Sequence, residues 1–410
     1  MRPLPDQRAE TAIASSKLLI LLAQATFIVH ISVYHNILWS KYKGSVFSEL
    51  SQIGASRGVE VSFVQIAETE EQREHLSGID YTYHTYPFRL LFRGVYERIS
   101  PLHIAWALAK DLIKHPSDLV LLPNYDLPEY WAMMTVCILL RRKRAVVCDA
   151  TRFDRPQLKW KEYLKRWFFA RCHGLFCYGT RSKEYLMSYG VSESKINFRC
   201  QAAALPHDYD PNAILRHYAT SAQFDPNHPR FLFVGRLSPE KGLFDLLDAF
   251  SLLRERLPHA TLDLVGAGPL QAELDERIGA LGLRDAARLK GSLDLAEITA
   301  ELYSATALVL PSHSEPWGLV VNEALSYGCP VVVSDHCGCL PELVIDGVTG
   351  YSFKTGDIRS LAAAMQSVTE LSTRRASVAA VCLKTVAPFT AEHAATQMLE
   401  GCQRILAVAG

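Results

Sequence analysis

The sequence predicts an α/β protein built from doubly wound parallel sheets in two domains, and three observations support that fold class. Between residues 231 and 364, short apolar runs alternate with amphipathic helical stretches at close intervals. A weaker alternation of the same kind extends from residue 27 to residue 198. The chain has 410 residues and is 49% apolar, which is enough to bury two sizeable cores. This pattern places a ligand at the carboxyl ends of the strands.

Apolar runs that end in turn residues mark the individual strands. In the second half of the chain they are residues 230–234, 261–265, 307–311 and 329–334. In the first half they are residues 27–33, 59–64, 118–122, 145–148, 175–180 and 196–198. Helices are predicted between them, including residues 158–172 and 243–253, and a last helix covers residues 391–408.

A pair of glutamates follows the apolar run 307–311. Glu315 and Glu323 are separated by seven residues, and a helix is expected to begin near Gly318. The free N–H groups and the positive end of such a helix suit a phosphate. Carboxylates accept hydrogen bonds from hydroxyl groups, so the spacing indicates a nucleotide-sugar site, with Glu315 toward the sugar and Glu323 toward the ribose. The alternative is a solvated pair of helix-face glutamates.

The loop after residues 230–234 carries two cations. Gly235 lets the backbone turn tightly, and Arg236 and Lys241 then lie at the same carboxyl edge as the glutamates. Two cations at this edge are typical of a site that binds a pyrophosphate, although charged residues are also common in surface loops. Gly266 ends the strand at 261–265, and Gly291 belongs to a segment that could border the base; a glycine turn alone is weak support.

These motifs resemble family 4 of the retaining glycosyltransferases, over about residues 228 to 365. The resemblance rests on the segments 234–242, 265–269, 311–312, 315–323, 328–332, 342–347 and 349–350. It implies the GT-B architecture, in which two Rossmann-like domains enclose a cleft and the C-terminal domain holds the donor. By the same resemblance Arg236 and Lys241 bind the donor phosphates, Glu315 the transferred sugar and Glu323 the ribose. The amides of Gly318 and Leu319 add to the phosphate site.

The resemblance also suggests a division of the chain. We expect an acceptor-binding domain at residues 1–205, a linker at 206–229, a nucleotide-sugar domain at 230–388, and a helix at 389–410 that crosses back to the first domain. Gly44 stands where such folds have a glycine loop facing the cleft, although this chain has one glycine there instead of two. Asp149 is the best candidate for a carboxylate near the reacting carbon and Asp154 the second. Either could instead cap the following turn, more so Asp154.

The expected chemistry needs no covalent nucleophile, because no Ser, Cys or carboxylate stands out as one. Retention would then arise by same-face attack, with Arg236, Lys241 and the helix start at Gly318 stabilising the departing diphosphate. We expect neither a metal nor a cofactor beyond the nucleoside-diphosphate sugar. The Asp-x-Asp at residues 208–210 is interpreted as part of the linker, and the His-Cys-Gly-Cys at residues 336–339 as a turn after a strand.

Composition limits the partners and the compartment. The formal charge is +0, so nothing global favours nucleic acid. Ten cysteines without a paired framework and no clear cleavable signal indicate a reducing cytoplasm. The apolar stretch at residues 18–33 is shorter than the roughly 20 residues that span a bilayer, so no transmembrane helix is predicted. The expected partners are a nucleotide sugar and a saccharide or lipid-linked acceptor.

A basic and aromatic segment leaves membrane contact open. Its cations lie at residues 141–144 and at Lys159, Lys161, Lys165, Arg166 and Arg171, and aromatic residues stand among them at 160 and 167–169. Such a helix suits the anionic inner face of a membrane. Equally, its aromatic side could pack on the sheet while the lysines are solvated.

Two other functions stay open: a GT-B nucleotide-sugar epimerase, and a non-catalytic nucleotide-sugar-binding subunit.

Overall fold

The computed structural model describes residues 29–73, 78–154, 159–220 and 225–408. The strands are β1 (Val29–Ile37), β2 (Val59–Ala67), β3 (Phe88–Leu90), β4 (Leu119–Leu122), β5 (Lys143–Cys148), β6 (Gly174–Cys177), β7 (Ile196–Phe198), β8 (Arg230–Val234), β9 (Thr261–Val265), β10 (Ala287–Gly291), β11 (Ala307–Leu310), β12 (Val331–Ser334) and β13 (Gly350–Phe353). The helices are α1 (Lys41–Ser56), α2 (Pro101–Lys114), α3 (Pro128–Leu139), α4 (Lys159–Arg171), α5 (Thr180–Ser188), α6 (Pro211–Thr220), α7 (Leu243–Arg254), α8 (Gln271–Ala280), α9 (Leu295–Ser304), α10 (Leu319–Ser326), α11 (Leu340–Leu343), α12 (Ile358–Ser372), α13 (Arg375–Val386) and α14 (Ala391–Ala407).

The strands form two separate parallel sheets. The first has seven strands in the order β3-β2-β1-β4-β5-β6-β7, and the second has six in the order β10-β9-β8-β11-β12-β13. Both orders reverse direction once, between β1 and β4 and between β8 and β11. The central strands β4, β11 and β12 are buried along their whole length, as expected when helices cover both faces. The predicted α/β class with two doubly wound sheets is confirmed.

The last helix, α14, packs on the first sheet instead of the second. Met398, Leu399 and Ile405 join the apolar cluster formed by β1 and α1. The N-terminus of α14 is capped by the hydroxyl of Thr390, which accepts a hydrogen bond from the backbone of His393. At the other end, the Lys143 ammonium donates to the last carbonyl groups of α14, 2.9 Å from that of residue 406. Capping at both ends fixes the return of the chain to the first sheet.

Several segments differ from the sequence-based expectation. The strands β3, β10 and β13 were not predicted, and the strand predicted at residues 175–180 ends at Cys177, because Thr180 begins α5. The first strand continues to Ile37, and the start of the run predicted at residues 27–33 lies outside the described residues. The segment proposed as a linker contains α6, whose Ile214 and Tyr218 belong to the core of the second sheet. The Tyr218 hydroxyl also donates to the carbonyl of Tyr327 at 3.0 Å.

Four cations of the predicted basic cluster serve the fold, whereas Arg141, Lys161, Arg166 and Arg171 are exposed. Arg142 donates to the carbonyl of Leu112, Lys143 caps α14, and Arg144 is buried, so of residues 141–144 only Arg141 is exposed. On α4 the Lys165 ammonium also turns inward and donates to the hydroxyl of Tyr185 at 2.7 Å. Burial of these groups follows from tertiary contacts that the local sequence does not reveal.

The exposed side of α4 is nevertheless aromatic. Phe168 and Phe169 are buried, whereas Trp160 and Tyr163 are 63% and 71% exposed, and Leu164 and Trp167 are also exposed. These four exposed residues follow the i, i+3, i+4, i+7 spacing of one helix stripe, which soluble proteins normally bury. No helix of the described residues is long and apolar enough to span a bilayer.

The packing of α14 predicts a large loss of stability when its apolar face is shortened. Leu399 is fully buried against the first sheet, so Leu399→Ala should lower the free energy of unfolding by about 2 to 5 kcal/mol. Urea unfolding followed by circular dichroism measures this. The exposed neighbour provides the control: Glu400→Ala should change the same quantity by no more than about 0.5 kcal/mol. Equal effects of the two variants would show that α14 does not pack as described.

Candidate active site

The donor-side residues lie where the second sheet reverses its strand order. β8 and β11 are neighbours there, and the loops that follow them face the same edge. The loops touch: the amide of His313 donates to the carbonyl of Glu240 at 2.8 Å. Gly242 adopts φ +65°, and a Cβ at this position would lie 2.2 Å from the carbonyl oxygen of Pro311. Open α/β sheets bind ligands at this kind of switch point.

Lys241 and Glu315 form an ion pair between these two loops. The Lys241 ammonium donates to Oε2 of Glu315, and both side chains are mostly buried. The hydroxyl of Ser312 lies 3.3 Å from the same oxygen. The sequence predicted both residues at one edge of the sheet, and the structure brings them into direct contact. The pair offers a cation and a carboxylate side by side to any ligand that enters the cleft.

Helix α10 begins beside this pair, as expected from the sequence. Gly318 precedes its first residue, Leu319, and has φ +94°, a conformation that suits glycine. A Cβ on Gly318 would also lie 2.9 Å from Cδ2 of Leu310. The first amides of any helix have no partner within it, so the start of α10 presents free donors next to Lys241 and Glu315. This is an arrangement that suits a phosphate.

The preceding Trp317 fixes the entry to α10. Its indole N–H donates to the Asn322 side chain at 2.8 Å, and the Asn322 amide donates to the carbonyl of Gln201 at 2.9 Å. The chain from Trp317 to Asn322 is therefore tied to the segment that leaves the first sheet. Glu323, the second carboxylate of the predicted pair, follows directly.

Glu323 lies one turn into α10 and accepts no hydrogen bond from the described residues. Burial raises the pKa of its carboxyl to about 7, from an ordinary value of 4.5. Because the side chain keeps some exposure, a hydroxyl group of a ligand could reach it. An unpaired carboxylate in such surroundings gains more from an incoming hydroxyl donor than a solvated one does.

Arg236 reaches across the cleft from the loop after β8. Its guanidinium is 3.0 Å from the carboxylate of Glu240 and donates to the side-chain oxygen of Gln72, which follows β2 of the first sheet. The hydroxyl of Ser238 donates to the same Glu240 oxygen at 2.7 Å. Both cations thus bond to protein groups that a ligand could replace: Arg236 to Glu240 and Gln72, and Lys241 to Glu315.

The predicted glycines Gly235, Gly266 and Gly291 serve the packing of neighbouring loops. Gly266 has φ +135°, and a Cβ there would lie 1.9 Å from the carbonyl oxygen of Gly235. The amide of Gly266 donates to the carbonyl of Gly291 at 2.8 Å. Gly291 itself has φ +69° and open space around its Cα.

On the opposite side of the cleft, Asp154 supports a loop. Its carboxylate accepts hydrogen bonds from the amide and the hydroxyl of Thr151, the latter at 3.0 Å. Burial raises the pKa of this carboxyl to about 6. The Asp154 carbonyl oxygen lies 3.4 Å from the hydroxyl of Ser314, next to Glu315. Of the two roles considered for Asp154, the local turn is the one the structure describes. Asp149 follows β5 and lines a cavity of the first sheet.

Gly44 lies in the first turn of α1, which corrects the expectation of a glycine loop. A Cβ at Gly44 would lie 2.7 Å from Cε1 of His84 and 2.9 Å from the carbonyl oxygen of Tyr83. The glycine therefore lets α1 pack closely against that segment. Its neighbour Lys43 is the residue of this turn that lines the cavity.

Comparison with known families assigns the second half of the chain. Residues 218–380 match the family described as glycosyl transferases group 1. This segment is a group 1 glycosyl transferase domain. The glycogen synthase of Mycobacterium tuberculosis is 44% identical over 137 residues, which are 33% of this chain and 33% of that protein. The alpha-D-kanosaminyltransferase of Streptomyces kanamyceticus is 31% identical over 157 residues, 38% of this chain and 40% of its own. The matches thus span less than half of either relative.

Solved structures resemble the whole chain. HepE of Anabaena, in complex with UDP and glucose, has a TM-score of 0.67 at 17% identity, over 92% of this chain and 99% of that one. Sucrose-phosphate synthase from Thermosynechococcus elongatus has a TM-score of 0.68 at 20% identity, over 93% and 100% of the two chains. These likenesses extend over both sheets, and the fold of the chain is GT-B.

Several residues that join the group 1 domain to the first sheet escaped the sequence analysis. The Glu342 carboxylate accepts a hydrogen bond from the amide of Thr180 at 2.6 Å. Arg181 donates to the carbonyl of Cys337 at 3.0 Å. The rings of Phe153 and His336 stack with their centroids 4.3 Å apart. Partners so far apart in sequence leave no local signal, although Glu342 belongs to a segment that carried the family resemblance.

The raised pKa of Glu323 predicts a pH-dependent cost to folding. Below the unfolded pKa of about 4.5 the carboxyl is protonated in both states, and between pH 4.5 and 7 only the unfolded chain ionises, so stability falls as pH rises. Glu323→Gln removes this cost. The free energy of unfolding of the variant, minus that of the wild type, should therefore rise by about 2 to 3 kcal/mol between pH 5 and pH 8.

Urea unfolding at several pH values measures this difference, and Glu276→Gln, on an exposed position of α8, is the matched control. A difference that stays constant with pH for Glu323→Gln would show that its surroundings do not raise the pKa.

Proposed function

We propose that the protein is a glycosyltransferase that moves a sugar from a nucleoside-diphosphate sugar to an acceptor hydroxyl. One observation carries the proposal: the Lys241–Glu315 pair stands beside the start of α10, at the switch point of the second sheet. The pair supplies what a sugar diphosphate requires, a cation with free amides for the phosphates and a carboxylate for the sugar. HepE, which shares the fold, is described in complex with UDP and glucose, and this supports a nucleotide sugar as donor.

The pair also explains how the site stays ordered before the donor binds. Both side chains are mostly buried, and a buried charge without a partner is costly because it has lost its hydration. The ammonium and the carboxylate therefore pair with each other when no ligand is present. In the proposed complex the diphosphate draws Lys241 toward itself, and hydroxyl groups of the sugar donate to Glu315. Arg236 would exchange Glu240 and Gln72 for phosphate oxygens in the same way.

The proposed reaction retains configuration by same-face attack. The bond between the anomeric carbon and the phosphate oxygen breaks, and its electron pair leaves with the diphosphate. The acceptor oxygen bonds to that carbon from the same side, and its proton passes to the departing phosphate. Arg236, Lys241 and the first amides of α10 stabilise the charge that grows on the diphosphate. In this scheme these groups supply the positive charge, and neither a metal nor another cofactor is required.

The acceptor would approach from the first sheet. Asp149 follows β5 and is our candidate for the carboxylate near the reacting carbon, while Asp154 holds the adjacent loop through Thr151. The relatives by sequence carry names of saccharide-modifying enzymes, which supports a saccharide acceptor. An epimerase or a non-catalytic binder is less well supported. Product analysis with labelled donor separates them, because only a transferase moves the label to an acceptor or, more slowly, to water.

The exposed stripe of α4 supports an acceptor carried by a membrane. Trp160, Tyr163, Leu164 and Trp167 are exposed, and the Arg171 guanidinium lies 5.2 Å from the Trp167 ring centre. Lys161 and Arg166 are exposed on the same helix. Aromatic side chains flanked by cations are typical of helices that lie on an anionic leaflet. We propose that α4 rests on such a surface at the inner face of a membrane.

A change at Lys241 tests the phosphate site. Lys241→Ala should weaken the binding of the nucleoside diphosphate by about 1.5 to 3 kcal/mol, because one charge-assisted contact is lost. Isothermal titration calorimetry measures this, after a thermal-shift screen has chosen among uridine, guanosine and adenosine diphosphates. Arg254→Ala is the matched control, since Arg254 ends α7 far from the site and pairs with Asp285. Unchanged affinity in Lys241→Ala would remove this residue from the site.

Separate changes of the two glutamates test their assigned roles. Glu315→Gln should depress turnover and leave the affinity for the nucleoside diphosphate nearly intact, because Glu315 is assigned to the transferred sugar. Glu323→Ala should weaken the binding of the nucleoside diphosphate, because Glu323 is assigned to the ribose. Donor hydrolysis without acceptor gives the turnover, and calorimetry gives the affinity. The opposite pattern would mean that the two roles are exchanged.

Vesicle sedimentation tests the proposed contact of α4 with a membrane. Binding should require anionic lipid, fall as salt rises, and decrease when Lys161, Arg166 and Arg171 are replaced by Glu, since each cation contributes about 1 kcal/mol near the surface. Replacement of Arg254, Arg256 and Arg284, which lie on the second domain, is the matched triple control. Equal sedimentation with neutral and anionic vesicles would contradict the proposal.

A further inference from the structure

A cavity of about 210 Å³ lies where the first sheet reverses its strand order. It is bordered by the carboxyl end of β1, including Asn36, by Asn124 in the loop after β4, and by Asp149 after β5. This is the counterpart, in the first sheet, of the place that the donor residues occupy in the second. Two cationic side chains, Lys43 and Arg199, line it as well.

Arg199 is buried with part of its guanidinium unpaired. The residue is 1% exposed. One terminal nitrogen lies 3.2 Å from the hydroxyl of Tyr178, while Nε and the other terminal nitrogen have no hydrogen-bond partner within the described residues. A buried guanidinium has five N–H donors, and leaving donors unpaired away from water is costly. The unpaired donors therefore indicate a partner of the opposite charge.

Lys43 adds a second cation to the same cavity. The residue is 6% exposed, and its ammonium bonds to the hydroxyl of Tyr178 and lies 4.8 Å from the centre of that ring. Burial, followed by the nearby Arg199, lowers the pKa of Lys43 well below its usual range, and Asp149 acts in the opposite direction. Two neighbouring cations repel each other, so an anion that contacts both would stabilise the charged forms of both side chains.

The anionic side chains around the cavity are too few to balance these cations. Glu70 and Arg73 also line it, and they pair with each other. Asp149 is then the carboxylate left to face both Lys43 and Arg199 among the described lining residues. Burial lowers the pKa of His35 to about 3, so this ring stays neutral and adds no charge.

The cavity adjoins the donor side of the cleft. Gln72, which accepts the hydrogen bond of Arg236, lies between Glu70 and Arg73 in the chain. The rings of Tyr178 and Trp317 pack edge to face, with their centroids 6.5 Å apart, and Trp317 lies just before the start of α10. A molecule bound in the cavity would therefore lie next to the loops that hold Lys241 and Glu315.

We propose that Lys43 and Arg199 bind a phosphate group of the acceptor. The inference rests on the proposed function, since it names the acceptor class of the same site: a hydroxyl compound that carries a phosphate. The planar guanidinium of an arginine and the compact ammonium of a lysine both donate hydrogen bonds to phosphate oxygens. The phosphate would hold the acceptor in the first domain while its hydroxyl faces the donor sugar.

Direct binding tests this without requiring turnover. The full chain is first saturated with the nucleoside diphosphate that binds most tightly, so that the donor site is filled. It is then titrated with glycerol 3-phosphate, with glycerol as the neutral control, by calorimetry. Saturable binding of glycerol 3-phosphate should weaken at least tenfold in Arg199→Met and in Lys43→Met. It should be unchanged in Lys110→Met, an exposed lysine of α2 remote from the cavity.

A second comparison separates the two sources of phosphate. Vesicles of phosphatidylcholine with and without phosphatidic acid are sedimented with the wild type and with Arg199→Met. A preference for phosphatidic acid that Arg199→Met loses assigns the site to a lipid headgroup, and a preference that it keeps assigns the site to a soluble phosphate.

Three results would overturn the proposal. The first is no saturable binding of glycerol 3-phosphate to the wild type. The second is an affinity for glycerol 3-phosphate in both variants that equals that of the wild type. The third is a loss of nucleoside diphosphate affinity in the variants, which would assign the cations to the donor. Arg199→Lys keeps the charge and guards against misfolding, and it should bind glycerol 3-phosphate more tightly than Arg199→Met. If glycerol 3-phosphate does not bind but the nucleoside diphosphate does, the acceptor proposal is wrong and the transferase proposal is unaffected.

Discussion

The contact between the loops that follow β8 and β11 determines the donor side of this protein. Gly242 allows the backbones to approach at Pro311, and this approach brings Lys241 of one loop to Glu315 of the other. Each loop also begins a helix, so the pair and the start of α10 have fixed positions relative to each other. Flexible surface side chains would pay an entropic cost to reach this geometry, whereas here the backbone already supplies most of it.

The two sheets contribute different chemistry to the cleft between them. The second sheet presents an ion pair, a helix start and a glutamate of raised pKa, which together suit a sugar diphosphate. The first presents a cavity in which Lys43 and Arg199 outnumber the carboxylate that faces them. Contacts between the halves include the hydrogen bond from Arg181 to the carbonyl of Cys337 and the stacking of Phe153 on His336.

The sequence alone was sufficient for most of the strands and for the start of α10, but it did not predict β3, β10 or β13. Strand periodicity and the glycines that follow β8 and β9 are local signals, and Gly318 marks its helix because few other residues adopt its conformation. The pairing of Lys241 with Glu315 could be predicted only to the level of a shared sheet edge. Direct contact depends on how two loops 74 residues apart pack.

Other features could not be predicted because they depend on distant partners. Lys165 turns inward to Tyr185, so the helix that carries it exposes its aromatic stripe instead. Composition gives no indication of which side of such a helix is buried. Arg199 likewise stands in an unremarkable stretch, and only the fold shows that its guanidinium is buried beside Lys43.

Hydrogen–deuterium exchange with and without the nucleoside diphosphate tests the central claim most directly. If the donor binds at the edge shared by β8 and β11, the backbone amides of residues 235–242 and 315–320 should exchange more slowly in its presence. The bound donor stabilises both loops, and its phosphates accept hydrogen bonds from the free amides at the start of α10. The rest of the second sheet should change little. Protection confined to other segments, or none at concentrations that saturate binding, would contradict the account.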